Sequence, residues 1–71
     1  HGYGLGRELA DARSRVERLE REIDAVEHAL DDEETAKDER RRLRARLVQY
    51  EIERYRELEE LRRAESRAAS L

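Results

Sequence analysis

Leu5, Leu9, Ala12, Val16, Leu19, Ile23, Val26 and Leu30 recur at alternating intervals of four and three residues. That mean spacing of about 3.5 lines up side chains along one stripe of an α-helix, and no β-strand can use it, because strand side chains alternate with a period of two. Leu9, Val16, Ile23 and Leu30 take the a positions of a heptad; Leu5, Ala12, Leu19 and Val26 take d. Nearly everything between them is charged or small. Beyond Gly6 the chain has neither glycine nor proline, so nothing in the backbone chemistry interrupts a helix. Gly2, Gly4 and Gly6 cluster before it, and residues 1–6 are read as a flexible lead-in.

The first seam ends at Leu30. Asp31, Asp32, Glu33 and Glu34 follow, and the next large aliphatic residue is Leu43. Continuing the same frame would seat Glu33, Lys37, Arg40 and Arg44 in an apolar seam. The chain is therefore expected to bend. Thr35-Ala36-Lys37-Asp38 has the S/T-x-x-D/E form of a helix start, with Thr35 as N-cap and Asp31 or Asp32 as alternatives. The expected organisation is helix 1 over about 7–31, a turn over about 32–35 and helix 2 over about 36–69. Folding the second helix back about residue 33 sets Leu30 against Ala36, Ile23 against Leu43, Leu19 against Leu47 and Val16 against Tyr50. Leu9 then meets Glu57 or Leu58, and Ala12 meets Arg54.

Charge supports the same bend. Residues 1–39 carry six Lys/Arg against thirteen Asp/Glu, and residues 40–71 carry ten Arg against six Glu. Two halves of opposite sign suit two helices side by side. The expected fold is all-α: an antiparallel coiled-coil hairpin of two long helices. Its intramolecular seam is Leu9, Val16, Leu19, Ile23, Leu30, Leu43, Leu47, Tyr50 and Leu61. The rival is a continuous rod dimerising in parallel through helix 1, where Glu8–Arg13 and Arg15–Glu20 would attract across the pair and Glu22–Glu27 would repel.

Helix 2 has more apolar surface than one partner uses. Val48, Ile52 and Tyr55 form a second stripe, roughly 100° around the axis from the first. Burying such side chains contributes about 1.5–3 kcal/mol each. Small scaffolds commonly gain stability by oligomerising. A second copy on this stripe would give a homodimer with four helices. A different protein, or the remainder of a parent chain, is the alternative occupant. The chain contains no methionine, so it is read as a segment of something longer.

Composition excludes several functions. Without cysteine there is no disulfide framework and no thiolate metal site. No apolar run approaches the ~20 residues of a membrane span, and the exposed face of helix 2 mixes Glu with Arg, so no membrane partner is expected. Seventy-one residues, nearly half of them charged, leave little room for an enclosed catalytic pocket; no enzyme and no cofactor is expected. Ser14, Ser66 and Ser70 lack a base and an orienting partner in any recognisable motif. His28 lies one helical turn from Asp24 and from Asp32, yet a single histidine reads as a surface residue.

Two charged runs remain. Arg40, Arg41, Arg42, Arg44 and Arg46 could grip phosphates, with a solvated, ion-paired face as the simpler reading. Asp31, Asp32, Glu33 and Glu34 could dock an acidic tip into a larger assembly, with capping and solubility as the simpler reading. The expected function is a non-catalytic, cytoplasmic protein–protein interaction and oligomerisation module. A nucleic-acid-associated dimerisation arm is the second possibility, and an acidic-tipped docking arm the third.

Overall fold

The computed structural model describes residues 2–70, with side chains described from Arg7 to Ser70. Two helices account for the described chain: α1, Gly2–Asp31, and α2, Lys37–Ala69. They lie against each other as an all-α hairpin, and the molecule measures 52 × 15 × 13 Å. A 33-residue helix is about 50 Å long at 1.5 Å per residue, whereas an unbroken rod of this chain would reach ~105 Å. The rod is thereby replaced by the hairpin.

The buried side chains of α1 are Ala12, Val16, Leu19, Ile23 and Val26, with Leu9 and Leu30 half-buried at either end. The heptad seam is thus the face that α1 buries. Leu5, its first member, lies outside the described side chains. On α2 the protected positions Arg40, Leu43, Leu47, Tyr50, Arg54, Glu57, Leu61, Ala64 and Ala68 are again spaced three and four apart; Glu59, paired with Arg62, is half-buried outside this row. Leu43 in it is buried, and Leu47, Tyr50 and Leu61 are half-buried. The strictness of this second seam is hidden in the sequence because Arg40, Arg54 and Glu57 occupy three of its positions. Ala12 and Ala64, at 1% and 2% exposure, are the most deeply covered residues. Small side chains let the two helix backbones approach, and the stems of longer polar neighbours cover the remaining apolar surface.

Four sequence expectations are corrected. First, α1 begins at Gly2 and not near residue 7. Gly4 and Gly6 have nothing packed against them, so each costs about 1 kcal/mol of helix propensity without forbidding the helix. His1 lies outside the described residues. Second, α2 starts at Lys37, with Ala36 as its extended N-cap residue, making no side-chain cap bond. Thr35 faces the other way: its hydroxyl donates to the Ala29 carbonyl at 2.7 Å and closes the end of α1. The hydroxyl was read correctly as a capping group and assigned to the wrong helix.

Third, the facing register differs. Tyr50 partners Glu22 and Glu57 partners Arg15, each six positions nearer the bend than the expected Val16 and Leu9. Arg67, paired with Glu8, is displaced in the same direction. The bend causes it. Residues 32–36 are non-helical, and Arg40 is drawn back over the end of α1, so the α2 seam opens at Arg40 and not at Ala36. Fourth, Arg40 leaves the basic run. Its guanidinium donates to the carbonyls of Leu30 (2.5 Å), Asp32 (2.6 Å) and Thr35 (3.1 Å). No described residue has positive φ, so the left-handed glycine that commonly ends a helix is not used here. Side chains satisfy the terminal carbonyls in its place.

Candidate interaction surface

Two kinds of surface flank the seam, one of ion pairs and one of apolar side chains. Along the groove between the helices, the Arg15 Nε donates to Glu57 at 2.7 Å, and Arg67 pairs with Glu8. Glu57 interrupts the apolar row of α2, and its pairing with Arg15 is what makes it tolerable there. That hydrogen bond also raises the pKa of the Arg15 guanidinium. The Tyr50 phenol lies above its ordinary value of 10.0, first through hydrogen bonding with the Glu22 carboxylate and then through desolvation.

The sign of the Tyr50 effect sets a pH window. A phenol whose folded pKa exceeds its unfolded value contributes stability that is complete below pH 10.0 and is lost as pH rises through the folded value. Removing the carboxylate with Glu22→Gln is expected to lower the Tyr50 midpoint and to shrink the alkaline loss of stability. Site-resolved magnetic resonance of the Tyr50 ring measures the first, and urea unfolding on either side of the transition measures the second. An unchanged midpoint would remove Glu22 as the cause.

The apolar surface lies on α2. Tyr55, Val48 and Ile52 are 69%, 54% and 44% exposed, and Leu58 is 39% exposed. All three expected stripe residues therefore stand clear of the intramolecular seam. Leu58 is exposed as well, but it lies about 90° around the helix from their centre, at the edge of the seam beside Glu57. At 100° per residue, with the seam fixed by its protected side chains, Val48, Ile52 and Tyr55 lie roughly 150° from it and not 100°. They face away from α1. Ala45, also exposed, extends the same three–four spacing at one end of the stripe. Among its described side chains α1 offers nothing similar: apart from His28, the outward positions are charged or small.

The charged candidates separate. Arg41, Arg42, Arg44 and Arg46 are exposed, but successive positions fan around α2 and make no single tract. Arg42 is paired with Glu39 at 3.2 Å, and Arg40 is turned into the bend. Asp31, Asp32, Glu33 and Glu34 are exposed at the bend, where one Asp32 carboxylate oxygen accepts the Glu34 amide at 3.0 Å. Among the described residues no group of three or more His, Cys, Asp or Glu is arranged to hold a metal ion. The surface depression beside Tyr55 is open and lined mainly by Arg15, Glu57, Glu60 and Arg63. No described helix is long and apolar enough to cross a membrane.

The sequence reading missed Arg40 as a capping group and Arg54, Glu57 and Ala64 as seam members. The signal for the seam residues was the continued three–four spacing from Leu43 to Ala68; nothing local in the sequence signals the Arg40 contacts. Comparison with protein-family models, with curated proteins and with solved structures gives no match.

Proposed function

We propose that this chain is a non-catalytic, cytoplasmic interaction module, a coiled-coil hairpin that associates with a second copy of itself to make a four-helix arrangement. The observation that carries the reading is the exposure of Val48, Ile52 and Tyr55 on one side of α2, while the described side chains of α1 show no second apolar row. Removing three such side chains from water on one helix supplies a few kcal/mol per copy before the cost of association. The hairpin's own seam leaves that contribution unused.

Light scattering over a range of concentrations tests the reading. The wild-type chain is expected to move from hairpin to dimer as concentration rises. Ile52→Glu is expected to remain monomeric at every concentration, because a carboxylate on the stripe must be desolvated in the dimer and stays hydrated in the monomer. Ala25→Glu, on the exposed side of α1, serves as the matched control and should still dimerise. A wild-type chain that stays monomeric throughout, or an Ile52→Glu dimer as tight as wild type, would end this reading. A second reading, contact with nucleic acid, draws on the exposed Arg41, Arg42, Arg44 and Arg46. It ranks lower because those guanidinium groups diverge around the helix.

A further inference from the structure

We infer that the occupant of the α2 stripe is the α2 of a second copy running antiparallel, with the two-fold axis near Ile52 and the two α1 helices outermost. This rests on the self-association reading and adds to it an orientation and a layer order. The layer order comes from where the stripe lies. Val48, Ile52 and Tyr55 point away from α1, so a partner seated on them touches α2 alone, and each α1 stays on the far side of its own α2. The four helices then form a flat layer in the order α1, α2, α2, α1, in contrast to a square bundle in which every helix contributes to one core.

Orientation comes from charge. The stripe sits at the middle of α2, and the segments on either side of it carry different charge. Residues 37–47 hold six Lys/Arg against two Asp/Glu; residues 57–67 hold four Glu against three Arg. A two-fold axis at Ile52 lays each 37–47 segment along the partner's 57–67 segment, a strongly basic stretch on a slightly acidic one. A parallel pair lays basic on basic, and it also brings the two Asp31–Glu34 runs together at one end. Setting aside Arg40, Glu57 and Arg67 and the pairs Glu39–Arg42, Glu59–Arg62 and Glu60–Arg63, all bonded within the hairpin, leaves the same asymmetry. The basic segment keeps four Lys/Arg against one Asp, and the other keeps only Glu65. Side chains flanking a helix–helix contact lie within about one Debye length of each other at physiological salt, so this difference is felt. An isologous contact of this kind is self-complementary, each copy giving its basic segment and receiving the other's acidic one.

The natural absence of cysteine makes single-site spin labelling straightforward. Labels on Ala45→Cys and, in a separate sample, on Ser66→Cys occupy exposed positions on the stripe side of α2 and remove no charge. In the antiparallel layer the label-to-label distance between copies is about 20 Å or more for position 45 and about 40 Å for position 66, from 1.5 Å per residue measured from the axis. In a parallel pair both distances are ~10 Å, the separation of packed helix axes. Distances of ~20 Å and ~40 Å in a sample that scatters as a dimer support the inference. Short distances at both sites in a dimer overturn the orientation and leave self-association standing. A monomer by scattering, with no inter-copy distance, overturns both. A dimer that persists with Ile52→Glu places the contact elsewhere and overturns the layer order.

Discussion

Ile23→Ala is expected to lower the hairpin's thermal midpoint by about 10–30 °C, at the rate of roughly 4–8 °C per kcal/mol that applies to a domain of this size. Ile23 is 4% exposed, in the middle of the α1 seam, with Leu19 and Val26 one turn away on either side. Truncating a buried isoleucine removes its transfer free energy and leaves a cavity, at about 2–5 kcal/mol. A chain of this length has on the order of 4–10 kcal/mol of total stability, so one substitution removes a large share. Two helices also form a single layer of contact, and no second layer of side chains can move in to fill the space. Thermal unfolding followed by circular dichroism measures the shift. Ala25→Ser, two residues on and on the opposite, exposed face, should change the midpoint by only a degree or two, about the size of a small difference in helix propensity. If Ile23→Ala behaved like Ala25→Ser, the buried seam would not be what holds the hairpin closed.

Arg40→Ala is expected to cost about 1.5–3 kcal/mol, far more than the same change at neighbouring Arg41. The Arg40 guanidinium satisfies carbonyls of Leu30, Asp32 and Thr35, which belong to the end of α1 and to the bend. The α1 terminus has no left-handed residue to turn its carbonyls inward, and the Thr35 hydroxyl closes only the Ala29 carbonyl. Losing the guanidinium returns three carbonyls to partial solvent and frees the bend to open. Arg40→Lys keeps the charge, but a single ammonium lacks the planar fork that reaches three acceptors, so less than half of the loss should be recovered. Urea unfolding of the three variants gives the ranking. Amide hydrogen exchange locates it, with faster exchange expected over the last turn of α1 and little change in the middle of α2. Equal stability of Arg40→Ala and Arg41→Ala would show that the bend holds itself without this contact.

Both predictions depend on features of unequal legibility in the sequence. The α1 seam was readable because each of its positions is apolar and nearly every intervening one is not. The bend was readable because four acidic residues end the seam and Leu43 restarts it out of frame. The stripe was readable as surplus: Val48, Ile52 and Tyr55 could not share a face with Leu43, Leu47 and Leu61. The α2 seam was half readable. Its apolar members were found, but Arg54 and Glu57 look like surface residues to any count of hydrophobic periodicity. They become seam residues only beside a partner helix that offers a small side chain or an ion-pair partner.

The Thr35 hydroxyl and the Arg40 guanidinium show the same division at the bend. A threonine followed three residues later by an aspartate matches a helix start, and local pattern has no means of seeing that the carbonyl of Ala29 is nearer. Periodicity and charge, which depend on spacing along one chain, determined that this protein is two amphipathic helices folded back on each other with an apolar stripe to spare. The tertiary structure alone decided the register between the helices, the group that clamps the bend and the direction in which the stripe points. Those depend on distances between atoms far apart in the chain, and those distances exist only once α2 lies against α1.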